Sequence, residues 1–250
     1  MEKKVLAIIP ARYASTRFPG KPLVKIGEKS IIQRVYEQAK KAKQVDEVIV
    51  ATDDDRIYQH VKEFEGNVTM TSEAHSSGTD RCAEVAQKYP SYQWVVNIQG
   101  DEPFIAPQQI DLAIEPLIKN EKIKIGTLAK PLKDKTQLFN PNVVKVNMRL
   151  DKTALYFSRH PIPFYRSKEK ENWMELHQYY KHIGIYAFDR LTLTEIAQLP
   201  QTLLEKAESL EQLRWLENGY DIFVGITALE TIGVDTPEDL QKVIEVYGIQ

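Results

Sequence analysis

"VLAIIPARYASTRFPGKPL" spans residues 5–23 and holds more architectural information than any other stretch of the chain. Val5 to Ile9 is an unbroken apolar run stopped at Pro10, the pattern of a strand buried in a parallel sheet. The chain then changes character at once. Arg12, Arg17 and Lys21 follow in a loop that also holds Ser15, Thr16, Pro19 and Gly20. A surface loop can carry cations for solubility alone. Open α/β sheets, however, bind ligands just past the carboxyl ends of their strands. Position therefore favours a phosphate loop, with arginines as bidentate forks and a lysine as a point charge. The loop has neither the Walker spacing nor the G-x-G-x-x-G dinucleotide spacing.

Working outward, strand-like and helix-like segments alternate. Ser30 is placed to cap a helix to about Ala42, with Ile31, Ile32, Val35, Tyr36 and Ala39 on one face. "EVIVAT" (47–52) reads as a strand and "DDDRIYQHVKEF" (53–64) as its helix, acidic where the helix dipole favours it. "NVTMT" (67–71), "WVVNIQ" (94–99) and "KIGTLA" (124–129) are further strands. Helices open near Ser77 or Thr79 and near Pro107. The alternation implies an α/β fold: a mostly parallel, Rossmann-like sheet with helices on both faces. After Pro131 the rhythm changes. Residues 143–159 suggest a hairpin turning near Asp151 and Lys152, "HIGIYAF" (182–188) another strand, and "DIFVGITA" (221–228) a late one. Residues 191–199 and 209–218 suggest helices. Thr236, Pro237, Glu238 and Asp239 make a capped, acidic helix start. The expectation is one domain over 1–250, with about 132–190 as a smaller β-rich insertion.

Composition narrows the function. With 33 Lys+Arg against 35 Asp+Glu, the net charge of −2 argues against a broad nucleic-acid or membrane-surface binder. No apolar run approaches the ~20 residues of a membrane helix, and the first apolar run is too short for a signal peptide. The expectation is a cytoplasmic enzyme without membrane insertion. One cysteine, Cys82, excludes an intrachain disulfide and a thiolate cage. The five histidines lack metal-ligand spacing, and no G-x-S-x-G elbow is present.

Three further stretches can carry chemistry. In "NIQGDEP" (97–103), Asp101 follows a strand and a glycine, so its carboxylate belongs at the sheet's carboxyl edge, where it could hold a hard cation such as Mg²⁺. The same letters are good turn chemistry. In "GVDTPEDL" (233–240), Asp235 is a second candidate ligand or a helix cap. In "SSGTDR" (76–81), backbone N–H groups could read a base or an anion, or simply begin a helix.

Together with "VATD", "NPNVVKV", "ALYFSRHPIP", "HIGIYAF" and "LEQLRWLENG", these stretches occur in the order expected of one family. Over essentially its whole length the chain resembles the 3-deoxy-D-manno-octulosonate (Kdo) cytidylyltransferases, the CMP-Kdo synthetases. The resemblance implies transfer of CMP from CTP to Kdo, releasing pyrophosphate and activating Kdo for lipopolysaccharide biosynthesis. It implies catalytic roles for Arg12, Lys21, Asp101 and Asp235, with Asp101 and Asp235 as Mg²⁺ ligands. Nucleotide contacts carry over to Ala11, Arg12, Arg17, Lys21, Ser77, Gly78, Arg81 and Gln99. Sugar contacts carry over to Gln99, Arg159, Arg166, His182, Tyr186, Glu211 and Gln212. It also implies a homodimer in contact through the insertion. A cytidylyltransferase for 8-amino-Kdo, sialic acid or a sugar phosphate, or a non-catalytic nucleotide- or sugar-binding regulator, stays open at this point.

Overall fold

A computed structural model describes residues 4–14, 18–166 and 168–249. Its strands are β1 (Lys4–Ala11), β2 (Lys25–Ile26), β3 (Lys29–Ser30), β4 (Glu47–Thr52), β5 (Val68–Met70), β6 (Tyr92–Asn97), β7 (Ile125–Pro131), β8 (Lys145–Met148), β9 (Ala154–Ser158), β10 (Tyr180–Asp189) and β11 (Ile222–Ile226). The helices are α1 (Ile31–Ala39), α2 (Asp55–Glu63), α3 (Gly78–Lys88), α4 (Pro107–Lys119), α5 (Lys135–Phe139), α6 (Trp173–Leu176), α7 (Arg190–Ile196), α8 (Leu203–Glu208), α9 (Gln212–Glu217) and α10 (Pro237–Tyr247). None of the described helices is long and apolar enough to cross a membrane.

The main sheet runs β11-β7-β10-β6-β1-β4-β5, with the β8–β9 hairpin joined to it through β10. β1 pairs in parallel with both β4 and β6, and the chain changes direction across the sheet between these neighbours. That reversal opens a crevice beyond the carboxyl ends of β1 and β6, the place where such sheets bind ligands. β1 also shows why its apolar run is unbroken. Val5, Ala7 and Ile9 pack into the core on one face, and Leu6 and Ile8 into the core on the other. Helices α1, α2, α4 and α10 cover the first face. α3, α7 and α9 cover the second.

The helix starts follow their sequence signals. Ser30 Oγ accepts from Gln33 N at 3.2 Å, and all five apolar residues assigned to one face of α1 are buried. Thr236 caps α10 with Asp239 returning the bond, which leaves Asp235 outside the cap. The last turn of the helix expected to reach about Ala42 is replaced by a turn after Lys40.

The stretch 132–190 divides in two. Leu132, Leu138, Trp173 and Tyr179 form a small apolar cluster of their own beneath the irregular part. β10, by contrast, is an interior strand of the main sheet, antiparallel to both β6 and β7. Its apolar residues 183–188 complete both cores, so burial holds it there rather than in an appended unit.

Gly126 of β7 lies directly beneath α4. A Cβ there would stand 2.6 Å from the Ala113 carbonyl oxygen and 3.0 Å from Leu117 Cδ1. Gly126→Ala should therefore lose ~1–3 kcal/mol of stability through overpacking. Urea unfolding should show a lower midpoint with an unchanged slope.

Candidate active site

Lys21 organises the crevice. Gly20 takes a left-handed conformation (φ 70°) and its N–H donates to the Tyr13 carbonyl at 2.9 Å, closing the loop so that a short 3₁₀ turn presents Lys21. Lys21 Nζ donates to Asp101 Oδ2 at 2.7 Å and to Asp235 Oδ1 at 3.0 Å. The side chain is only 12% exposed. Burial opposes its charge, but the two carboxylates outweigh that, and its pKa is raised above the ordinary lysine value. The ammonium is thus fixed as a cation.

Two backbone features hold the carboxylates in place. A Cβ at Gly100 would stand 2.7 Å from the Pro10 carbonyl oxygen, so only glycine lets the Asp101 turn lie this close to β1. The Val234 N–H donates to the Asp101 carbonyl at 2.8 Å, joining the two acidic loops through their main chains. Asp101 is thus both the turn residue and a site carboxylate. Beside it, the Glu102 carboxyl accepts from Thr231 Oγ1 at 2.8 Å, and burial pushes its pKa up to about 7.

Ala11, Arg12, Lys21, Ser77, Gly78, Gln99, Asp101 and Asp235 all line one cleft of about 410 Å³. The Arg12 guanidinium donates to the His75 carbonyl, so it ties the β1 loop to the loop before α3. Ser77 and Asp80 form a reciprocal cap on α3, leaving Gly78 at its first turn facing the cleft. Arg81 lies elsewhere. It is fully buried and donates to Thr71 and Asp53, beneath the loop rather than in the cleft. The guanidinium read from the resemblance for a nucleotide contact thus pairs with Asp53 beneath that loop. Arg17 lies outside the described residues.

The residues read for the sugar separate into groups. Gln99 Nε2 donates at 3.0 Å to the Gly184 carbonyl, at the register shift in β10 between Ile183 and Tyr186. His182 Nε2 lies 3.0 Å from Thr127 Oγ1, and its ring sits edge-on to Phe157 and tilted against Tyr186. Burial lowers its pKa to about 3, so it is neutral at physiological pH. Tyr186 is buried, and burial together with the Glu211 charge pushes its hydroxyl well above the ordinary range. Glu211 accepts from Thr79 Oγ1 at 2.6 Å; burial raises its pKa while Thr79, Ser77 and Arg214 act in the opposite direction. Glu211 thus meets the first turn of α3 through Thr79, His182 packs on Tyr186, and Gln212, next to Glu211 in the chain, is buried.

Two arginines stand apart from them. The Arg159 guanidinium donates to the carbonyls of Glu208 (2.6 Å), Pro141 (3.0 Å) and Ser209 (3.3 Å). Buried Lys145 donates to the Arg159 carbonyl as well as to those of Asn140 and Val143. Arg159 is thus the knot of three loops. Arg166 is exposed and bonds to none of the described residues, so nothing gathers it with the pocket. Sequence reasoning missed Asn97, Thr79, Thr127 and Arg214. Asn97 carried a signal: it is a buried polar residue closing the buried apolar run 94–96.

The neutral His182 has a measurable consequence. Its folded pKa is depressed, so between pH 6.5 and about 3 the unfolded chain binds a proton that the folded chain does not. Its share of stability is therefore lost as pH falls through that window. His182→Gln should flatten the pH dependence of unfolding there relative to the wild type, measured by urea titration at several pH values. Parallel curves would show that burial does not set the state of this ring.

The comparisons with known proteins agree with this geometry. A cytidylyltransferase family model matches residues 6–222. A 3-deoxy-manno-octulosonate cytidylyltransferase of Parabacteroides distasonis is 55% identical over 246 residues, covering 96% of this chain and 97% of the relative. Its counterpart in Geobacter sulfurreducens is 52% identical over 250 residues, covering 96% and 98%. A solved CMP:2-keto-3-deoxy-manno-octonic acid synthetase in complex with CTP superposes with a TM-score of 0.92 at 42% identity, covering 98% of this chain and 99% of that one. A Leptospira borgpetersenii cytidylyltransferase at 18% identity and TM-score 0.63 shares the fold. The chain belongs to the cytidylyltransferases and, within them, to the 3-deoxy-manno-octulosonate cytidylyltransferase family.

Proposed function

We propose that the chain transfers CMP from CTP to Kdo, giving CMP-Kdo and pyrophosphate and so activating Kdo for lipopolysaccharide biosynthesis. The observation that carries this reading is the meeting of Lys21, Asp101 and Asp235 in the cleft beyond β1 and β6. In the reaction, the sugar's anomeric hydroxyl attacks the α-phosphorus. A new O–P bond forms, the bond to the β-phosphate oxygen breaks, and the hydroxyl proton is released. Lys21 supplies a fixed positive charge where the phosphates reorganise, which lowers the barrier without reorganisation at the moment of reaction. Arg12 and the α3 amino end at Gly78 flank the same cleft and suit a nucleotide. His182, Tyr186 and Glu211 offer polar groups for a polyol, held in orientation by Thr127 and Thr79.

The donor set suits Mg²⁺. Asp101 and Asp235 are hard oxygen donors approached to one point, the Lys21 ammonium. Among the described residues no cluster of three or more His, Cys, Asp or Glu joins them. A cation that keeps waters and takes substrate oxygens fits such a two-carboxylate site. When bound, it would supply charge neutralisation at the phosphates. The reading includes a cytoplasmic location and a homodimer. Leu150, Leu155 and Phe164, at 106%, 54% and 69% exposure, give the hairpin region apolar surface for a second copy. Sedimentation of the purified chain should show a dimer, and Leu155→Lys should shift it towards monomer. A wild-type monomer at tens of micromolar (roughly the range for a dimer of μM affinity) would remove that part.

Pyrophosphate release with CTP and a panel of acceptors tests the reaction. Kdo should be used far better than sialic acid or a sugar 1-phosphate; a mismatched hydroxyl set can cost ~10⁴-fold. Asp101→Asn and Lys21→Ala should each lower kcat by ~10²-fold or more, as loss of a transition-state charge does, while Kdo KM changes little. Equal use of a sugar 1-phosphate, or near-normal turnover of both variants at saturating Mg²⁺, would overturn the reading.

A further inference from the structure

The buried part of β6, residues 94–97, is apolar except at its last residue. Asn97 is 4% exposed, yet its Oδ1 has no hydrogen-bond partner among the described residues. Across the ladder, Tyr186 is its register partner on β10, so the two side chains share a face of the sheet. The Tyr186 hydroxyl is also buried, and Thr127, its polar neighbour, does not meet it in hydrogen-bond geometry. Thr127 Oγ1 beside it is engaged with the carbonyls of Ile183 and Ile185. Two neighbouring unpaired polar groups in an otherwise apolar layer lower stability, because buried polar groups left unsatisfied keep their desolvation penalty. Phe188 and Trp215 pack against Tyr186, so protein atoms already provide the apolar alternative. The pair also has a route to ligand. Asn97 Nδ2 lies 4.0 Å from where a Cβ of Gly78 would be, and Gly78 lines the cleft.

From this geometry we infer that Asn97 is a specificity-determining residue for the acceptor sugar. A primary amide both accepts and donates, so it can receive a proton from one hydroxyl through Oδ1 and give one to a neighbouring oxygen through Nδ2. The ligand class this fits is a polyhydroxylated acceptor, which deepens the CMP-transfer reading above and rests on it. Tyr186 supplies the second unpaired group on the same face. Gly78 gives the approach, since any side chain there would press on Pro10, 3.2 Å from its Cβ position, and cover the amide.

The test sets stability against sugar use. Asn97→Leu, similar in shape, should raise the melting temperature, because it removes a buried polar group with no partner in the protein. The same variant should raise KM for Kdo ~10-fold or more, with KM for CTP within about twofold. Asn97→Ala should show the same KM pattern, and added Kdo should raise its melting temperature less than it raises the wild type's. A structural residue would move stability and both KM values in the same direction. An unchanged KM for Kdo in both variants, or an equal rise in KM for CTP, would overturn the inference while leaving the reaction standing. A wild-type protein that turns over CTP with other acceptors but not with Kdo would overturn both.

Discussion

The contact between the Lys21 ammonium and the carboxylates of Asp101 and Asp235 is the constraint around which the rest is arranged. The three residues lie far apart in sequence and on three separate loops. Two carboxylates this close repel unless a cation stands between them. The cation in turn needs the β1 loop to close at Gly20, the β6 turn to press against Pro10 at Gly100, and the loop before α10 to reach back and bond the Asp101 carbonyl. Each requirement fixes one loop to one strand end. The parallel pairing of β1 with β6 then serves as the frame that brings the loops to the same edge.

Much of that frame was legible because it rests on local signals. β4 falls on 47–52 as read, α4 opens at Pro107, the caps at Ser30 and Thr236 are where the side-chain chemistry put them, and of the two candidates for α3 Ser77 takes the cap. What stayed hidden depended on partners distant in sequence. Nothing in "HIGIYAF" says that its strand runs antiparallel between β6 and β7; that follows from which face each residue completes. The same holds for the site. Lys21, Asp101 and Asp235 announce themselves as charges beside strand ends, but whether Asp235 caps a helix or faces a lysine depends on Thr236 taking the cap. Arg81 has a partner that its motif did not announce: Asp53, just past the end of β4, pairs with it inside the protein.

Arg159 and Lys145 illustrate a further reason. Their cations are satisfied almost wholly by main-chain carbonyls, which have no letter in the sequence. Burial pushes the Lys145 pKa down to about 8 against the charge of Glu208, and three carbonyls accept from its ammonium. Such a residue reads as a surface charge until the chain is folded, and then proves to be a fastener between β8, the 140–143 loop and the end of β9.

The two halves of the site differ in how they use solvent exclusion. On the phosphate side, opposite charges are held in contact, and partial burial strengthens their mutual attraction. Around His182, Tyr186 and Glu211 burial dominates, with the Arg214 guanidinium opposing it at Glu211. It leaves the His182 imidazole and the Tyr186 phenol neutral and moves the Glu211 carboxyl toward protonation. Neutral donors and acceptors discriminate by direction and count rather than by charge, which suits recognition of hydroxyl groups in an apolar surround. Phe157, Phe188 and Trp215 form an aromatic wall around His182 and Tyr186 as part of the core. By lowering the local dielectric that wall sets the protonation states of the imidazole and the phenol, while at the Lys21 edge the carboxylates set that of the ammonium.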